Sequence, residues 1–139
     1  MDDILVNKHQ IIKRCIKRIN EEYAENPDNL KNYTKQDSII LNIQRLAEAA
    51  IDIAMHLTAE LQLGIPQSSR DGFDILANQK IIDSKTAERL KAMVGFRNIA
   101  VHEYQSLKLK IVENIIEKEI DMILIFSKDM LKMMEERKD

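Results

Sequence analysis

Ile4, Ile11, Ile12, Cys15, Ile16, Ile19 and Tyr23 recur at steps of three and four residues. That is the period of one helical face, and it predicts a first helix over about Asp3 to Tyr23. Asn26, Pro27, Asp28 and Asn29 are turn formers and predict a loop up to about Tyr33. Ile39, Ile43, Leu46, Ala50, Ile53, Leu57 and Leu61 then form a second stripe, which predicts a helix from near Thr34 to about Leu63. Gly64, Ile65 and Pro66 are expected to end it, with Gly64 in the left-handed cap conformation. Ser69 is placed to cap a short third helix over Asp71 to Ala77, anchored by Phe73 and Leu76. Asp83 and Ser84 open a fourth, with Leu90, Met93, Val94 and Val101 on its apolar face.

The last helix is expected over Leu107 to Glu136, with Val112, Ile116, Ile120 and Ile123 in one stripe. Ile111, Ile115, Met122, Leu124 and Ile125 add apolar surface elsewhere around its axis, which calls for burial on a second side. A homodimer interface would supply it. The sum is an all-α, antiparallel four- to five-helix bundle.

Composition narrows this further. A chain of 139 residues suits one domain, residues 1–139, and three Gly, two Pro and no Trp suit long helices with few turns. Cys15 is the only cysteine, so no intramolecular disulfide can form, and a reducing cytoplasm fits best. The chain opens Met-Asp-Asp, unlike the basic start of a secretory signal. Its longest strictly apolar run, Met122 to Phe126, falls far short of the roughly 20 residues that span a bilayer, so no membrane contact is expected. A net charge of −2 argues against coating nucleic acid by bulk positive charge, so any RNA contact must be local.

One stretch carries candidate chemistry. Arg97, Asn98, His102 and Tyr104 fall within eight residues. In RNA cleavage the 2′-hydroxyl attacks the neighbouring phosphate, which requires a group that moves protons near neutral pH and a fixed cation for charge gathering on phosphorus. An imidazole such as that of His102 suits the first task and the planar guanidinium of Arg97 the second, with no metal or cofactor needed. Five residues apart on a continuous helix, however, Arg97 and His102 point about 140° away from each other. Either the helix unwinds near Ala100 and Val101, or the two groups meet those of a second protomer. Asn98 shares a face with His102 and would orient the imidazole or bond the phosphate.

Met93 to Tyr104, reading MVGFRNIAVHEY, resembles the RNxxxHxY signature of the HepT-like toxins in the HEPN superfamily, whose general motif is R-x4-6-H. The resemblance extends to QRLAEAAIDIAMHL over Gln44 to Leu57, to LGIP over Leu63 to Pro66, and to the helical plan. It implies a HEPN fold, a homodimer with a composite cleft at its seam, and a metal-independent endoribonuclease acting as the toxin of a toxin–antitoxin pair. It also implies that a small MntA-like nucleotidyltransferase of the polymerase-β type serves as antitoxin and transfers AMP from ATP to Tyr104. Each AMP would bring bulk and negative charge to the site, blocking the groove and repelling RNA phosphate.

Other polar residues read more plainly. Asp52 and His56 stand at i and i+4, a spacing open to metal ligation, but two ligands do not make a site and a structural hydrogen bond is preferred. His9 reads as exposed. Lys13, Arg14, Lys17 and Arg18 form a basic face that is first a solvated one, whereas Lys108 and Lys110, beside the motif, are candidates to hold RNA. Met130, Met133 and Met134 read as packing at a helix end or dimer seam. Two other functional classes stay open: a non-catalytic HEPN module holding a nucleotide or protein, and an antitoxin restraining a toxic transferase.

Overall fold

The computed structural model describes residues 2–137; the single-domain reading of 1–139 runs beyond them at residue 1 and residues 138–139. The described residues contain helices and turns and no strand. Helix α1 spans Asp3–Tyr23, α2 Tyr33–Glu60, α3 Asp71–Asn78 and α4 Ser84–His102. Helices α5 (Leu109–Asn114) and α6 (Ile120–Arg137) are joined through a π-helical turn, Ile115–Glu119, into one long rod. The bundle therefore has five helical rods, as the pattern predicts.

Asp2 starts α1 by accepting hydrogen bonds from the amides of Ile4 and Leu5 at 3.1 Å, which satisfies two donors that a helix start leaves open. The same carboxylate lies 2.7 Å from Nε2 of His56, and Lys8 pairs with Asp52 at 3.0 Å. These ties run α1 and α2 antiparallel. His56 and Asp52 thus serve α1–α2 docking through separate partners. His9 corrects the expectation of exposure: it is half-buried, with Nδ1 2.7 Å from Ser127 Oγ on α6. Burial, aided by nearby Lys13 and Lys128, pushes its pKa below the ordinary histidine value.

The core is the α2 stripe, with Ile39, Ile43, Leu46, Ile53 and Leu57 all buried and packed against Leu5, Ile12 and Ile19 of α1. Leu5, not Ile4, is the inward residue at the start of α1; Ile4 is exposed. The expected loop before α2 holds a 3-10 turn, Pro27–Lys31, whose Leu30 is buried. Pro sets its first φ and Asn26 caps it through the Asp28 amide at 3.0 Å. At the end of α2 the left-handed residue is Gln62 (φ 53°), while the Leu63 amide reaches back to the Thr58 carbonyl at 2.9 Å. Gly64 sits beyond the cap at φ 146°.

The π turn explains how the last rod hides more apolar surface than one α-helical stripe allows. Val112, Ile116 and Ile120 recur every four residues, a step longer than the α-helical period, and the widened turn keeps them in register while also turning Ile115 inward. Met122 is buried within the chain as well, and so are Met130 and Met134; Ile111 and Ile125 are exposed. No helix among the described residues is long and apolar enough to cross a membrane.

Candidate active site

Helix α4 carries the motif to one corner of the bundle. Asp83 caps it, accepting from the Thr86 amide at 2.7 Å, and Leu90, Met93, Val94, Phe96 and Ala100 face the core. Val101, expected inside, is 48 % exposed. Helical bonding runs unbroken to the end, where the Glu103 amide reaches the Ile99 carbonyl at 2.8 Å. The helix does not unwind at Ala100 and Val101, so the divergence of about 140° between Arg97 and His102 stands. Measured from buried Ala100, Arg97 lies about 60° round the helix, at the rim of the core, while Asn98 and His102 lie about 160° round, on the open face.

Arg97 is fixed by the loop before α3. Its Nη2 donates to Ser69 Oγ at 3.2 Å. The expected helix cap at Ser69 is therefore corrected: Ser68 Oγ accepts from the Asp71 amide at 3.3 Å, one residue earlier, leaving the Ser69 hydroxyl to hold the arginine. Two close approaches set that loop. Gly72 lets α3 lie on α2, since a Cβ there would stand 3.1 Å from that of Ala54. The Arg70 guanidinium crosses α4 at Gly95, where a Cβ would meet Nη2 at 3.0 Å, and its Nε donates to the Lys91 carbonyl at 3.4 Å. Arg97 Nε is buried and has no acceptor among the described residues. A buried donor left open costs free energy, on the order of 1–3 kcal/mol.

His102 and Asn98 are exposed. After them the chain turns through Glu103 into a 3-10 turn, Tyr104–Ser106, and the Tyr104 hydroxyl donates to Asp37 Oδ1 on the first turns of α2. Burial and the Asp37 carboxylate push the Tyr104 pKa up to about 12, so the phenol keeps its proton at neutral pH. The residue as a whole remains 39 % exposed. Sequence reasoning missed Asp37 and read Ser69 only as a helix cap. Each belongs to a different element from the motif, and neither carries a local signal of its contact with it.

Lys108 is exposed at the start of α5, whereas Lys110 is engaged with Glu113 at 3.1 Å, though still largely in solvent. Ile99 and Ile111, 40 % and 49 % exposed, flank an open groove of about 430 Å³ between α4 and α5. Among the described residues no three His, Cys, Asp or Glu side chains gather as a metal-binding group.

Comparison with known proteins gives this geometry a context. A family model described as Ribonuclease HepT-like matches residues 12–130. The chain is similar to the mRNA nuclease HepT of Shewanella oneidensis, 50 % identical over 87 % of this chain and 91 % of that protein. It is similar at 26 % identity to the tRNA nuclease HepT of Aphanizomenon flos-aquae, over 75 % of this chain and 71 % of that one. Among solved structures, it superposes on the tri-AMPylated HEPN toxin of Shewanella oneidensis in complex with MNT antitoxin. There the TM-score is 0.89 at 48 % identity, covering 95 % of this chain and 98 % of that one. A toxin–antitoxin structure with AMP-PNP matches with a TM-score of 0.88 at 47 % identity, over 94 % and 99 % of the two chains.

Proposed function

Because the chain belongs to the HepT-like ribonuclease family, we propose that it is an endoribonuclease toxin, that Arg97 and His102 carry the cleavage, and that AMP transfer to Tyr104 by a nucleotidyltransferase antitoxin silences it. Arg97 binds the scissile phosphate and steadies the charge that develops on it. His102 moves protons between the 2′-hydroxyl, the leaving oxygen and water, while Asn98 on the same face orients the imidazole or bonds the phosphate. Metal and cofactor play no part in this scheme. The reducing cytoplasm, which supplies RNA and ATP, is the proposed compartment.

The observation that carries the reading is Arg97. Ser69 holds one end of its guanidinium and the Nε is sealed in the protein, so the cation is fixed while the residue stays partly open to an oxyanion. A homodimer completes the site. Arg97 and His102 of one chain diverge on an unbroken helix, and exposed Ile99, Val101 and Ile111 beside them offer apolar surface for a second copy. Tyr104 is accessible next to this face. Adenylylation removes the phenolic proton that Asp37 accepts and sets a phosphodiester anion beside that carboxylate, so the turn after α4 is expected to leave α2 as the groove fills.

Two measurements test the reading. Purified protein in excess EDTA should cut RNA, and complete dependence on added metal would contradict the scheme. Intact mass spectrometry after incubation with ATP and the transferase should show added AMP, and none on Tyr104→Phe. A mass gain that survives this substitution removes Tyr104 from the account.

A further inference from the structure

On the face of the α1–α2 pair lies a second groove, of about 600 Å³, that the proposed cleavage site does not use. The register fixed by the Asp2–His56 and Lys8–Asp52 contacts places Arg14 of α1 beside Arg45 of α2, and Arg18 one turn further along toward Ser38. None of these three guanidiniums has an ion-pair partner among the described residues, although seven ion pairs form among them, six outside the groove. Arg89, by contrast, binds Glu119, and Arg70 and Arg97 donate to fixed oxygens. Of the acidic groups in the groove, Asp52 at the far end pairs with Lys8, and Glu48, one turn from Arg45, accepts from Gln44 at 3.0 Å, so cations outnumber carboxylates there by four to two. Both Arg14 and Arg45 lie near enough to the buried Cys15 thiol to oppose the rise that burial imposes on its pKa. A chain with net charge −2 thus concentrates three guanidiniums without direct ion-pair partners over one trough.

The floor of the trough is apolar at Ile11 and at Leu41, itself 40 % exposed. Guanidiniums along a rim and an apolar floor match the two halves of a single-stranded nucleotide chain, phosphate outside and base face inside. Ser38, at the arginine end, follows Asp37, the acceptor of the Tyr104 hydroxyl. The trough therefore opens beside the end of α4. We infer that it is an exosite for RNA: a single-stranded segment flanking the scissile bond leaves the cleft past Tyr104 and lays its phosphodiesters on Arg18, Arg14 and Arg45. This rests on the ribonuclease reading above and adds to it the class of substrate favoured, RNA with an unpaired flank.

The test uses the full chain carrying His102→Ala, so that RNA is bound without turnover, and a 2′-O-methyl single-stranded oligonucleotide. Arg14→Glu/Arg18→Glu/Arg45→Glu is compared with Lys13→Glu/Lys17→Glu/Lys132→Glu, which changes the net charge equally at exposed sites off the trough. The arginine triple should weaken binding by at least about tenfold and lower the slope of log K against log salt by about 2, near 0.7 for each phosphate lost. The lysine triple should do far less. In the His102-containing background the arginine triple should raise KM for long RNA while leaving cleavage of a dinucleotide unchanged.

Equal weakening by both triples would overturn the exosite, since only overall charge would then matter. RNA binding untouched by the arginine triple, whether or not the transferase still binds, would overturn it too, and loss of the transferase alone would identify the trough as a protein interface. Each of these leaves dinucleotide cleavage and the ribonuclease reading intact. Failure of the parent protein to cut any RNA would instead strike that reading.

Discussion

The α1–α2 half and the corner where α4 ends follow opposite rules. In the first, outside the arginine trough, apolar side chains point inward, and the polar groups Asp2, Lys8, Asp52 and His56 pair across the helices. In the second, Ile99, Val101 and Ile111 stand in solvent, His102 is exposed, and the buried Nε of Arg97 has no acceptor. A region that satisfies its own groups is finished by folding. One that leaves apolar faces and polar side chains open is the kind of surface that something outside the chain completes, and RNA and a second protomer are the proposed occupants.

This contrast is broken most sharply by substitutions on each side. His102→Ala should slow RNA cleavage by about 10²- to 10⁴-fold, and Arg97→Ala by about 10²- to 10³-fold. His102→Ala should leave thermal stability within about 0.5 kcal/mol of the parent, since its side chain is exposed. Paired cleavage assays and melting curves decide this, and a large loss of stability in His102→Ala would mean that the corner is structural. Leu57→Ala should do the reverse, costing about 2–5 kcal/mol of stability while the folded fraction cuts RNA at the parent rate.

The smallest effect comes from the α1 start. Burial raises the Asp2 pKa, but its hydrogen bond to His56 and its bonds to the Leu5 and Ile4 amides together hold it below the ordinary 3.8. Its stabilisation is therefore fully present above pH 3.8 and is lost as pH falls through the lower folded value. Asp2→Ala should cost about 0.5–2 kcal/mol near neutrality and flatten that acid limb in denaturant titrations. His9 acts at higher pH. Its folded pKa lies below 6.5, so the unfolded chain binds its proton more readily, and stability falls as pH drops from about 6.5 through the folded value.

The two regions also differed in how much of them could be read from the sequence. Burial follows period, so α1, α2, α3 and the start of α4 were legible to within a few residues from Ile and Leu spacing and from the caps. What escaped depends on contacts that period does not encode. Ser69 holds Arg97 while the Asp71 amide bonds Ser68, so α3 starts after Arg70 without a side-chain cap, and Gln62 takes the left-handed turn because the Leu63 amide closes on Thr58 before the chain reaches Gly64. Asp37 reaches Tyr104 from 67 residues away, on a helix whose pattern speaks only of its buried side. For the candidate site, the spacing of Arg97 and His102 already posed the choice between an unwound helix and a second protomer; the regular bonding of α4 through Glu103 removes the first, and the second is the proposal put to the test below.

The central claim is that one cleavage site draws Arg97 and His102 from different chains. It is tested most directly by mixing Arg97→Ala and His102→Ala proteins, each inactive alone, after unfolding and refolding them together. Heterodimers should then carry one intact site, and with random pairing of equal amounts the mixture should regain about one quarter of parental RNA cleavage. Heterodimers demonstrated by mass spectrometry that stay as inactive as either parent would contradict it.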